Sequence, residues 1–95
     1  DCQLVITGEG RIDSQSVGGK VISGIARRTR RKNVPLIAVV GEIADDAECA
    51  YDLGVSAMFT INRKAVAFSE SRERSVENYK KTIADILRLL KATNY

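Results

Sequence analysis

The chain has 95 residues, 44% hydrophobic and 28% charged, with a formal net charge of +3. That length allows one domain at most, with a thin core, because a chain this size buries roughly 60–70% of its unfolded surface. Histidine is absent and cysteine occurs twice, which excludes histidine triads, histidine metal ligands and a disulfide framework.

The first element is CQLVIT, Cys2 to Thr7. It is an apolar run of strand length that ends at a glycine. It lacks strict alternation, as a strand buried on both faces would, and so predicts a central strand of a parallel sheet. GEGRIDSQS, from Gly8 to Ser16, reads as a polar, glycine-bearing loop, with Ser14 or Ser16 able to cap a helix. From Val17 a helical stripe runs through Val21, Ile22, Ile25, Ala26 and Thr29. Arg30, Arg31 and Lys32 close it, and Asn33-Val34-Pro35 is a stop signal.

PLIAVVG predicts a second buried strand, again ending in glycine. DDAECAYDLG predicts a short helix capped by Asp45 and ended by Gly54. VSAMFTI is a third strand, and Asn62, Arg63 and Lys64 form a turn. From about Ala67 to Ala92 the pattern is helical, with Val76, Tyr79, Ile83, Ile86, Leu87 and Leu90 on one face. Ser69 or Ser71 could cap this helix, or it breaks there.

The order β-α-β-α-β-α predicts an α/β fold with three layers and a parallel sheet joined by right-handed crossovers. The chain opens at Asp1 directly on a strand that wants neighbours on both sides, so a piece of a larger protein is expected. No apolar run approaches the ~20 residues that span a bilayer. Cys2 and Cys49 are expected to be buried, reduced thiols of a cytoplasmic protein. The basic block Arg27 to Lys32 suits the negative end of a helix dipole. It lacks interleaved aromatic residues, so no nucleic-acid partner is expected.

In open parallel sheets ligands bind at the carboxyl ends of the strands. Glu9, Arg11 and Asp13 lie there after strand one, Gly41 and Glu42 after strand two, and Asn62 to Lys64 after strand three. Two phosphate motifs fail. The P-loop pattern would need glycine at Ser14 and a hydroxyl residue at Val21, and the dinucleotide fingerprint would need glycine at Asp13. What remains is a two-glycine turn with two carboxylates, a guanidinium and, beyond it, Lys20. Carboxylates can hold Mg²⁺ or accept a hydroxyl proton. Arg11 can clamp an anion bidentately, and Lys20 can neutralise a phosphoryl group. A salt-bridged turn in which Arg11 ties Glu9 to Asp13 accounts for the same residues.

LVITGEGRIDSQSVGGKVISGIARR resembles the signature of the bacterial glycerate kinases. Val5 to Arg11, Asp13, Gln15, Ser16, Gly19, Lys20 and Gly24 to Ala26 match its pattern of VITGEGR-x-D-x-Q-[ST], a Gly-Lys pair and a G-[VI]-A helix segment. Two departures stand beside these: Val21-Ile22 where a proline often follows the Gly-Lys pair, and a proline-free NRKAVAF after strand three. The resemblance covers nearly the whole chain but only the C-terminal part of two-domain family members. It implies ATP-dependent, Mg²⁺-assisted phosphorylation of glycerate, with the isolated piece inactive. Asp13, Glu9 and Lys20 become the catalytic candidates, with Asp13 and Glu9 also the metal candidates. Arg11, Gln15 and Ser16 become substrate contacts, and Gly8, Gly10 and Gly19 cofactor contacts. The alternative is a small non-catalytic module that binds a phosphorylated ligand or a protein partner. No membrane partner is expected, and a homodimer through an exposed sheet edge is.

Overall fold

The computed structural model of the chain describes residues 4–17 and 20–93. The elements are strand β1 (Val5–Ile12), helices α1 (Ser14–Val17) and α2 (Lys20–Arg31), and strand β2 (Leu36–Ile43). A 3₁₀ turn (Asp45–Cys49), helix α3 (Ala50–Leu53), strand β3 (Ala57–Thr60) and helices α4 (Phe68–Glu73) and α5 (Ser75–Ala92) follow. The strands form one parallel sheet in the order β1-β2-β3. β2 is therefore the central strand: Leu36 to Val40 are all buried. β1 has one strand neighbour among the described residues and is only half-buried over most of its length, so its outer edge is open within this piece of the sheet.

Two cores lie on the two faces of the sheet, giving the expected three layers. On one face Ile22 and Ala26 of α2 meet Leu36, Ala38 and Val40, with Ala47, Ala50 and Val55. On the other, Ile86 meets Ile37, Val39 and Ile61, with Tyr79, Ile83 and Leu90 packed beside it. Burying a side chain such as Ile22 or Val39 contributes about 1.5–3 kcal/mol. The alternation along β2 (even residues to α2, odd residues to α5) is what a strand covered on both faces requires.

The helical stripes are narrower than the sequence pattern suggests. Ile22, Ala26 and Thr29 are buried in α2, whereas Val21, turned about 100° around the helix from Ile22, is exposed. The Thr29 hydroxyl satisfies itself on the Ala26 carbonyl at 3.1 Å. The stop is as expected: Asn33 adopts φ 58°. The Asn33 and Val34 amides bond back to the carbonyls of Arg30 and Thr29, the Schellman pattern. The last helix does break, at Arg74. Val76 and Leu87 stand off its buried face, and Thr82 is buried in their place.

Two further expectations are corrected around the 3₁₀ turn. Its N-cap is Ala44, with no side-chain cap, so Asp45 does not cap it. Cys49 is exposed. In 3₁₀ geometry residues three apart eclipse, so Ala47 and Ala50 both turn inward and Cys49 between them turns out. Cys2 lies outside the described residues. Gly54 ends α3 as expected, at φ 120°, and a β-carbon there would also sit 3.2 Å from the Ala26 carbonyl oxygen.

A candidate anion site at the carboxyl ends of the strands

The stretch expected to be a loop is largely strand. Parallel pairing continues past Gly8: Glu9 faces Val40, Arg11 faces Glu42 and Ile12 faces Ile43. Here β1 and β2 outrun β3, which ends at Thr60. Val5 and Ile12 belong to the same core, although strict alternation puts residues seven apart on opposite faces. The face therefore switches between them, where Gly10 and Gly41 meet. A β-carbon on Gly41 would lie 2.7 Å from the Gly10 carbonyl oxygen, so the two strands approach more closely than a side chain permits.

This ribbon sets Arg11 beside a carboxylate from each strand. Its Nε donates to Asp13 Oδ2 at 3.1 Å, and one terminal NH donates to Glu42 Oε2 at 2.7 Å. Together they hold the guanidinium above its ordinary pKa, the hydrogen bond to Asp13 first and the Glu42 charge second. The expected partner Glu9 is not among these contacts. Glu9 contributes its backbone instead: its carbonyl accepts the Tyr79 hydroxyl at 2.7 Å, and the Tyr79 ring lies over Gly8. Burial, then the Glu9 charge, pushes the Tyr79 phenol up from its usual pKa. Beyond Asp13, Ser14 gives both its amide and its hydroxyl to Asp46, so it is the capped residue and not the cap.

The third strand supplies the opposite wall. Asn62 donates to the Gly41 carbonyl at 2.9 Å, and Arg63 pairs with Asp85 at 2.8 Å. Between the walls opens a cleft of about 770 Å³, with Arg11, Glu42, Asn62, Lys64, Arg72 and Tyr79 on its lining. Gly10 lines it too, but Glu9, Asp13 and Gln15 do not. Gln15 is exposed on α1. Gly19 and the side chains of Ser16 and Lys20 lie outside the described residues. Arg72 and Tyr79 were missed as site residues, and Glu42 was placed at the strand ends without a role. A signal for Glu42 existed: Gly10-Arg11-Ile12 and Gly41-Glu42-Ile43 are matching triplets of opposite charge, as two strands continued in register would carry.

A three-layer parallel α/β unit with a cationic cleft at the strand ends is an arrangement suited to anionic ligands. The chain belongs to the glycerate kinase family, whose family model matches residues 1–91. It is 41% identical over 91 residues to a glycerate kinase of Bacillus subtilis, covering 96% of this chain and 24% of that protein. It is 37% identical over 90 residues to a glycerate kinase of Haemophilus influenzae, covering 95% of this chain and 24% of that protein. A glycerate 2-kinase of Escherichia coli is 38% identical over 78 residues, 82% of this chain and 20% of the relative. The chain thus spans about a quarter of the length of the first two. No helix among the described residues is long and apolar enough to cross a membrane.

Proposed function

We propose that this chain provides one wall of the active site of a glycerate kinase that phosphorylates glycerate with ATP. The observation that carries the reading is the position of Arg11. It is a fixed cation bonded to Asp13 and Glu42 at the carboxyl ends of two parallel strands, beside a cleft rich in basic groups. Family membership supplies the chemistry to be explained. In the reaction a glycerate hydroxyl oxygen forms a bond to the γ-phosphorus of ATP, the bond to the bridging β–γ oxygen breaks, and ADP leaves. Asp13 takes the hydroxyl proton, with Glu9 as its partner. Arg11 orients the substrate carboxylate or phosphate, and Lys20 offsets charge on the transferred group, the two functions phosphoryl transfer most needs. Gln15 and Ser16 contact substrate and Gly8 and Gly10 the nucleotide, and the family pattern assigns Gly19 the same role.

The donor set suits Mg²⁺, which favours one or two carboxylates with waters and substrate phosphates. Asp13 and Glu42 both reach one guanidinium, and no group of three metal-binding side chains exists among the described residues. Asp13 and Glu9 would hold the ion, which when bound neutralises charge on the phosphates. The test is a chimera in which residues 1–91 of this chain replace the matching 91 residues of the Bacillus subtilis relative. Glycerate- and ATP-dependent ADP release is expected at roughly 1–100 s⁻¹, the range of kinases. The 95-residue chain alone is expected to show none. A folded chimera without turnover refutes the reading and leaves a non-catalytic module.

A further inference from the structure

The cleft carries an imbalance of charge. Arg11, Lys64 and Arg72 line it against a single carboxylate, Glu42. Close by, Arg63 and Arg88 pair with Asp85, and Lys81 pairs with Glu77. Lys64 and Arg72 form no ion pair among the described residues. Two unmatched cations facing a third across one concavity repel each other unless an anion enters.

The two partners of Arg11 differ. Asp13 stands two residues away on the same strand's continuation, and its side chain is 24% exposed. Glu42 comes from the neighbouring strand, is 59% exposed and, like Asp13, accepts one hydrogen bond from the guanidinium. Asp13 therefore fixes the orientation of Arg11, while Glu42 can swing into solvent at little cost. Its carboxylate occupies the place on Arg11 that an incoming anion needs, and a phosphate group meets a guanidinium in the same manner as a carboxylate.

We propose that this cleft is a phosphate-binding site whose resting counter-ion is Glu42: an arriving phosphate group displaces Glu42 from Arg11 and is held jointly by Arg11, Lys64 and Arg72. The rest of the ligand lies along Ile61, Val66 and Tyr79, the apolar part of the same lining. The cleft falls within the roughly 300–1,000 Å³ of small-molecule sites, so a phosphate ester larger than phosphate itself fits. Glu42 then acts as a competitor built into the site, weakening ligand capture and speeding release. The inference rests on the proposed kinase reading only for its place in a reaction. The ligand's phosphate comes either from the nucleotide or from phosphoglycerate.

The experiment titrates the ¹⁵N-labelled chain with inorganic phosphate at constant ionic strength, following amide shifts of Arg11, Glu42 and Asn62. Saturable binding at these amides is expected. Glu42→Gln should tighten it roughly 2–5-fold, the scale of an exposed pair. Lys64→Gln with Arg72→Gln should weaken it at least ~10-fold, the scale of charge-assisted hydrogen bonds. ATP and phosphoglycerate are then added as competitors, and the one that displaces phosphate at lower concentration is the source. Unchanged or weaker binding in Glu42→Gln overturns the proposal, as does an unaffected Lys64/Arg72 double variant, or phosphate displaced by neither ester. None of these readouts needs turnover. An inactive chimera with the Glu42 effect intact sinks the kinase reading alone, and an active chimera without that effect sinks this inference alone.

Discussion

Replacing Gly41 by alanine tests the local cause of the site's geometry. The added β-carbon would stand 2.7 Å from the Gly10 carbonyl oxygen, a distance that forces movement, and the obstacle is backbone in a paired strand. Gly41 is not among the glycines with positive φ, of which Gly54 is the one described, so the penalty is steric and not conformational. Overpacking of this kind costs about 1–3 kcal/mol, and each kcal/mol lowers the melting temperature of a domain this size by roughly 4–8 °C. Its partner is the control. Nothing lies within 4 Å of a β-carbon on Gly10, so Gly10→Ala should range from neutral to about 1 kcal/mol stabilising. Thermal melts of both variants read the asymmetry. Amide shifts at Arg11 and Glu42 should move in Gly41→Ala, because prising the strands apart separates that pair. Equal melting temperatures for the two variants would refute the close approach and the face switch built on it.

Tyr79→Phe keeps the ring over Gly8 and loses the hydroxyl bond to Glu9, so urea unfolding should show a loss of about 0.5–1.5 kcal/mol. The Tyr79 phenol is raised in the folded chain, so its contribution is full below pH ~10, the free tyrosine value, and fades as pH rises through the folded value. The phenylalanine variant should lack that alkaline component, and an unchanged profile would contradict the burial of the phenol beside Glu9. Asp85 is held below the usual carboxylate range, first by the Arg63 hydrogen bond. Its contribution is present above pH ~4 and lost as pH falls through the lower folded value. Asp85→Asn should remove that acid sensitivity from the difference in urea midpoints, and identical acid profiles would count against the pair. Arg30→Gln with Arg31→Gln should leave kcat/KM of the chimera within about threefold, since the block lies at the C-terminal end of α2, away from the cleft. Arg30 donates to the Asp52 carbonyl at 2.7 Å, a structural tie. A larger fall in a folded variant would place the block in the site.

The three strands, their parallel order and the two cores were legible because LIAVV and the Ile22–Ala26–Thr29 and Ile83–Ile86–Leu90 spacings state their periods plainly. Strand β1 was misread at its end. Glycine usually punctuates, so Gly8 was taken as a stop, and only pairing with β2 shows GEGRI to be extended. The neighbour that makes it so is about thirty residues away in sequence. For the same reason Glu42 could be placed at the strand ends beside Arg11 and Asp13, but not as the partner of Arg11: that role depends on register. Tyr79 was assigned to the helix's buried face correctly. That its hydroxyl would reach the Glu9 carbonyl depends on how α5 crosses the sheet, which periodicity does not encode. Cys49 was misplaced because its burial was inferred from residue type alone, whereas the three-residue period that buries Ala47 and Ala50 turns it outward.

If the charged end of β1 carries the chemistry of a kinase, turnover depends on the Asp13 carboxylate, and the kcat of Asp13→Asn in the chimera measures that dependence. The substitution preserves size and the capacity to accept the Arg11 hydrogen bond, and removes the charge. With folding confirmed by a cooperative melt, kcat for ADP release at saturating glycerate should fall at least ~10²-fold, the lower range for a general acid–base group. A kcat within a factor of about three of the parent chimera would reduce the Arg11–Asp13–Glu42 cluster to a salt-bridged turn.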